Sequence, residues 1–373
     1  MTRSPALPRG FSVGDDPASC LYLRPVGLMS GADAATAAGK AWRLAGGPSA
    51  FAALEILVRD GDRITATVAE PAGVLDWAAD LSEAVSQHVS GLIERLTAPR
   101  PPFAGLPLDH PLIMGVVNVT PNSFSDGGDH VDPTAAIAHG KALSAAGAHI
   151  LDIGGESTRP GAAPVPEELE LARVVPVLRG LRGSDAVLSI DTRHARVMPE
   201  ALKAGAAIIN DITALSGDAA SLKTVAKSGA PVVLMHMQGE PRTMQDNPTY
   251  LHAPLDIYDF LSQRVEACVA AGIERSRIAV DPGIGFGKTA AHNAEVLSQL
   301  ALFHGLGCAL LLGPSRKSFI AHFSKGEAPK ARLAGSLAAA LAGVGQGVQI
   351  LRVHDVAETA QALAVWRALA EAA

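Results

Sequence analysis

The chain has 373 residues, 48% of them apolar and 18% charged, with 37 Gly and 4% aromatics. That composition implies a large core of small and branched aliphatic side chains and excludes wholesale disorder. A formal charge of −6 offers no global positive field, so no nucleic-acid partner is expected, although a local basic pocket is compatible with it.

The opening stretch, MTRSPALPRGFSVGDD, lacks the apolar run of a signal peptide, and no later run is long enough for a membrane span. Residues 20–26 and 53–58 read as strands, and 59–62 as a hairpin turn into a strand at 64–68. Leu81, Val85, Val89, Leu92 and Leu96 recur at helical spacing and predict one amphipathic helix from Leu75 to Leu96. Three prolines within 98–103 then mark a boundary. Residues 1–104 are read as a small α/β extension and 105–373 as a separate unit. Cys20, Cys268 and Cys308 form no CxxC pair. They are expected to be free thiols in a reducing cytoplasm.

From residue 111 the pattern changes. Eight short aliphatic runs follow, at 111–119, 149–155, 186–192, 208–212, 231–237, 278–284, 308–314 and 348–354. Each is followed by polar or Gly-rich residues and a helix-like stretch, such as 133–146. Buried parallel strands read as continuous aliphatic runs, and eight β–α repeats over about 260 residues predict an α/β fold, the (β/α)8 TIM barrel. The competing open doubly wound sheet lacks a GxGxxG after its first strand.

Polar residues sit at the ends of these runs: Asn118, Asp152, Asp191, Asn210 with Asp211, His236, Asp281, Lys317, and Arg352 with His354. In a barrel those ends meet on the face that carries the active site. Asp191, Asn210 and Asp281 offer acceptors suited to a flat heterocycle. Arg316, Lys317, Arg352 and His354 offer donors and positive charge for a phosphate or carboxylate. Asn118 offers a neutral oxygen for a hard cation such as magnesium. The Gly-rich segments 120–128 and 154–162 read as loops that close over ligand. The run 167–173 reads as a solvated helix face, and the remaining histidines, among them His194 and His304, as surface or helix residues.

The segments MGVVNVTPNSFSDGG (114–128), DIGGESTRPG (152–161), SIDTR (189–193), NDI (210–212), MHMQG (235–239), VDPGIGFGK (280–288), SRKS (315–318) and RVHD (352–355) occur in that order. Over roughly residues 108–370 the chain resembles the dihydropteroate synthases, pterin-binding enzymes of folate synthesis. The resemblance implies the joining of 6-hydroxymethyl-7,8-dihydropterin diphosphate to 4-aminobenzoate. It implies magnesium at Asn118, and pterin diphosphate at Thr158, Asp191, Asn210, Met235, Asp281, Phe286, Lys317, Arg352 and His354. It places 4-aminobenzoate near Phe124, Arg159, Pro160 and Ser318, and gives Asp126 a part in organising the closed loop. The residues it marks as catalytic are Asp126, Asp281, Lys317, Arg352 and His354. A homodimer is also implied. Two positions depart from the family's pattern: Asn122 stands where Asp is usual, and Pro314 precedes SRKS. A methyl-transferring barrel that binds a folate, a pterin-binding paralogue without activity, and a generic phosphate-binding barrel of sugar metabolism are the competing readings.

Overall fold

A computed structural model describes residues 13, 16–31, 33–120, 132–157 and 164–372. The extension forms a four-stranded antiparallel sheet: β1 (Leu21–Ser30), β2 (Trp42–Arg43), β3 (Ser49–Asp60) and β4 (Arg63–Ala69). β3 pairs with all three of the others, and a tight turn at Gly61 (φ 58°) joins it to β4. The helix predicted from Leu75 to Leu96 is two helices, Pro71–Leu81 and Glu83–Thr97. Ser82 breaks it: its backbone is extended (φ −160°, ψ 161°) and its hydroxyl accepts from the Val85 N–H, starting a new helix. An apolar period that runs through both helices hid this cap. The two helices and the sheet share a core that includes Leu23, Phe51, Leu54, Val89 and Leu96.

Eight parallel strands then close a barrel: β5 (Leu112–Asn118), β6 (Ile150–Gly154), β7 (Val187–Asp191), β8 (Ile208–Asp211), β9 (Val232–Met235), β10 (Ile278–Asp281), β11 (Ala309–Leu312) and β12 (Ile350–Val353). Each lies within one of the eight runs read from sequence. Leu112, Met114, Ile150, Ile208, Val233, Ala279, Ala309, Leu311 and Ile350 form one cluster with Phe103 and Leu108. These are the inward residues of the lower barrel, and Phe103, 1% exposed, fills the N-terminal mouth. Residues 98–110 therefore pack rather than dangle.

The extension is bonded to the barrel wall. Tyr22 sets its ring edge-on to Tyr258 and donates to Asp259, and Arg59 pairs with Asp256 at 2.7 Å and Asp259 at 3.1 Å. Arg95 donates to the Gly305 carbonyl, and Arg100 to the carbonyls of His304 and Cys308. These carbonyls lie at the end of the 3-10 helix Leu300–Leu306 and just before β11, the strand that leads to Lys317.

Candidate active site

Strand side chains alternate between faces, and that parity selects the site. Asp152, Ser189, Asp191, Asn210, Met235, Asp281 and Arg352 lie an even number of residues along from members of the inward cluster. Above the apolar layers they form a polar ring. Asp152, with no exposed surface, is its hub. It accepts from Ser189 Oγ (2.6 Å), Asn210 Nδ2 (3.0 Å) and Arg352 Nε (2.7 Å). Arg352 also donates to Asp191 at 2.7 Å. Asn210 gives one amino N–H to Asp152, which turns its carbonyl oxygen away from that carboxylate as an acceptor.

A recess of ≈ 340 Å³, its open mouth included, is lined by Asp191, Asn210, Ile212, Met235, Asp281, Ile284, Phe286, Gly313, Lys317 and Arg352. Seven of the residues singled out from sequence meet there. Lys317 Nζ stands 4.1 Å from the centre of the Phe286 ring, a cation–π contact. A second recess, of ≈ 300 Å³, lies at the seam between extension and barrel. It is lined largely by apolar residues and gathers no comparable set of charges, so the chemistry belongs to the first.

Burial pushes Asp191 up to about 7 against the pull of Arg352, and raises Asp281 against the Gly283 N–H and the charges of Lys317, Arg352 and Lys288. Burial also works against the Arg352 charge, but Asp152 and Asp191 more than offset it. Lys317 is pulled down to about 8 by burial and by Arg352.

Several expectations change. Arg316 does not face the recess: it adopts φ 60° and forms a two-pronged pair with Asp355. That left-handed residue completes the turn after Pro314, and Lys317 reaches the recess despite the proline. His354 is no cation here: burial, then Arg352, Arg316 and Lys317, hold it at about 3. Its Nδ1 lies 3.0 Å from Ser315 Oγ, which also accepts from the His354 N–H. Asp211 and His236 have the opposite strand parity. Asp211 accepts from the Thr213 and Leu215 N–H groups and so holds a turn, and His236 meets Lys288 and Phe260 behind the recess. Within the run 167–173, Glu170 is fully buried against His194 at 2.6 Å, and His304 is fully buried as well. Ser318 is exposed at the start of helix Ser318–Phe323, and Asn118 is half-buried at the end of β5. Phe124, Asp126, Thr158, Arg159, Pro160 and Asn122 lie outside the described residues.

Residues 114–354 match the family described as pterin binding enzymes. The dihydropteroate synthase of Escherichia coli (strain K12) is 46% identical over 261 residues, 70% of this chain and 92% of that one. The chain belongs to the dihydropteroate synthase family. A Neisseria meningitidis serogroup B synthase is 48% identical over 268 residues, 70% of this chain and 94% of that one. Among solved structures, a Xanthomonas albilineans dihydropteroate synthase with 4-aminobenzoic acid superposes with TM-score 0.68 at 47% identity, covering 73% of this chain and 98% of that one. A Yersinia pestis dihydropteroate synthase with a sulfonamide drug gives 0.67 at 47%, covering 71% and 96%. The family match begins at Met114, so the whole of the extension lies outside it.

Parity supplies the site residues that sequence reading passed over. In sequence Asp152 is one polar strand end among many, although its position two residues past Ile150 places it at the centre of the ring. Ile212, Ile284 and Gly313 line the recess without any polar signal. Among the described residues no cluster of three His, Cys, Asp or Glu side chains could hold a metal. Magnesium commonly keeps water and substrate oxygens in its shell, so a single neutral oxygen such as that of Asn118 is compatible with it.

Proposed function

We propose that this family member catalyses the family's reaction: 4-aminobenzoate attacks the methylene of 6-hydroxymethyl-7,8-dihydropterin diphosphate. A carbon–nitrogen bond forms, the carbon–oxygen bond breaks, diphosphate leaves and the amine loses a proton. The observation that carries this reading is one recess holding three acceptors, Asp191, Asn210 and Asp281, beside two cations, Lys317 and Arg352. The amino and ring N–H groups of a pterin are donors that match the acceptors. Burial makes each pairing worth more than in water and penalises a ligand that leaves one unmet.

The aryl amine is neutral near pH 7, so the difficulty lies in the departure of diphosphate rather than in activating the nucleophile. Arg352 and Lys317 stabilise negative charge where it grows. Neutral His354, its Nδ1 turned to Ser315, keeps its other nitrogen for an N–H donated to the same anion. Asp281, as an acceptor from the ring, favours positive charge on the pterin. Asn118 is the residue that would hold magnesium, and such an ion supplies, when bound, further positive charge at the diphosphate. Phe124, Arg159, Pro160 and Ser318 are assigned to 4-aminobenzoate, and Asp126 and Thr158 to loop and pterin, by resemblance. A methyl-transferring barrel has no need of the Lys317–Arg352 pair, and a silent paralogue has no need of an intact ring.

Diphosphate release measured with both substrates and magnesium tests the reading. Release that requires both substrates is expected, and its absence under saturating conditions would overturn it. We also infer a homodimer in the cytoplasm. The three cysteines are unpaired, no helix of the described residues is long and apolar enough to cross a membrane, and helix Val356–Glu371 exposes Val365 and Leu369. Light scattering should give twice the chain mass, and a monomer mass at micromolar concentration would reject the dimer.

A further inference from the structure

The motif VDPGIGFGK ends in a lysine that the reaction above does not use. Lys288 is 3% exposed, so an unpaired ammonium there would be costly. Its Nζ lies 2.9 Å from His236 Nδ1, 2.9 Å from the Gly283 carbonyl and 3.1 Å from the Phe286 carbonyl. An ammonium carries three N–H donors, and here it has three acceptors.

We propose that Lys288 is a positioning residue for pterin binding: its ammonium ties the end of β9 to the loop after β10 and supplies the countercharge beneath Asp281. The inference rests on the proposed function of the same recess. The tie is close on every side. Gly283 is gripped through its carbonyl by Lys288 while its N–H donates to Asp281 Oδ1 at 2.8 Å. The His236 N–H donates to the Asp281 carbonyl at 2.9 Å, and the His236 ring packs edge-on against Phe260. Phe286, held through its carbonyl, presents its ring to the recess and to Lys317.

The charges point the same way. Asp152, Asp191 and Asp281 bring three carboxyl groups to the recess, and Lys317 and Arg352 two basic side chains; Lys288 is the third basic group. The cations facing Asp281 are Lys317, Arg352 and Lys288, and the titratable groups facing Lys288 are Asp281, Lys317 and His236. Burial pulls Lys288 down to about 7, with Asp281 opposing and Lys317 adding to the fall. His236 is driven well below its usual range by burial and by Lys288, so it stays neutral and accepts through Nδ1. Three acceptors on one nitrogen favour the charged lysine over the neutral amine, which has only two N–H groups. Without that charge, Asp281, already raised by burial, rises further. Protonated, it loses an acceptor that the pterin ring requires.

The test compares Lys288→Gln and Lys288→Arg with the wild-type full-length protein, after circular dichroism and thermal unfolding establish that each is folded. Rates against pH and calorimetric titration with 6-hydroxymethylpterin are the readouts. For Lys288→Gln the acid limb of kcat/KM for the pterin substrate should move up by about one pH unit. Its KM for the pterin diphosphate should rise on the order of tenfold at pH 6.5 and less at pH 8.5. The KM for 4-aminobenzoate should stay within about twofold, and Lys288→Arg should return the acid limb toward the wild-type position. A Lys288→Gln enzyme with an unmoved acid limb, or with equal losses for both substrates at every pH, overturns the proposal. If Lys288→Gln does not fold, Lys288→Arg decides: a wild-type profile supports the countercharge, and a uniform loss rejects it. Should the wild type release no diphosphate, the reaction fails, but the calorimetry still reads Lys288. Pterin binding that weakens with falling pH in the variant more than in the wild type supports it, and parallel curves reject it.

Discussion

Arg352 reaches two carboxylates with two nitrogens, and Asp152 serves three donors at once. A buried charge left without its partner is far more costly than an exposed one. Asp152→Ala should therefore destabilise the fold by about 3 kcal/mol or more, read as a lower urea midpoint. It should also free Asn210 and Arg352 to reorient, so pterin binding falls with stability. Asp281→Asn differs, because Asp281 has no such hub of side-chain donors and its Gly283 bond can survive in the amide. About a hundredfold loss in kcat/KM with little change in urea midpoint is expected, and unchanged kcat at saturation would remove Asp281 from the proposed chemistry. His194 offers a pH test away from the recess. The Glu170 hydrogen bond raises its pKa above the usual 6.5 against the opposing effect of burial. Stability from that pair is thus fully present below about pH 6.5 and is lost as pH rises through the folded-state value. Denaturant midpoints measured from pH 6 to 9 should decline more for the wild type than for His194→Gln.

The loop after β10 shows how an element can be legible while its shape is not. The string of glycines in VDPGIGFGK announces unusual backbone geometry but not which neighbour makes it necessary. At Gly283 the reason is contact: φ is 69°, and a Cβ would lie 1.9 Å from the His236 carbonyl oxygen. Gly283→Ala should cost about 1–3 kcal/mol from the backbone alone, with the clash adding to it. Thermal unfolding checks that cost, and pterin titration should show weakened binding because the Asp281 bond runs through the same residue. The break at Ser82 teaches the converse. Apolar spacing continued across it, so periodicity alone joined two helices. Only the hydroxyl's bond to Val85 reveals the cap. Ser82→Ala should lower stability by about 1 kcal/mol.

At the scale of the molecule, the extension and barrel share buried contacts that neither can supply alone. Phe103 closes the lower barrel, Tyr22 is buried against Tyr258, and Arg95 and Arg100 hold the carbonyls ahead of β11. A chain beginning at residue 105 loses all of these. It should unfold at lower temperature and aggregate more readily than the full protein, and equal melting temperatures would show the extension to be dispensable. The single change Phe103→Ala should cost about 3–5 kcal/mol.

The barrel was legible because parallel strands buried on both faces must be aliphatic throughout, and eight such runs leave few alternatives. Polar residues ending those runs marked the catalytic face, since the topology gathers all eight ends. What the linear order did not contain was pairing across strands. Arg352 finds Asp152 from 200 residues away, Arg316 turns out to Asp355, and Lys288 finds His236. Types of residue and their spacing are local properties and can be read in one dimension. Which donor meets which acceptor depends on strand register, parity and burial, and those exist only once the chain has closed.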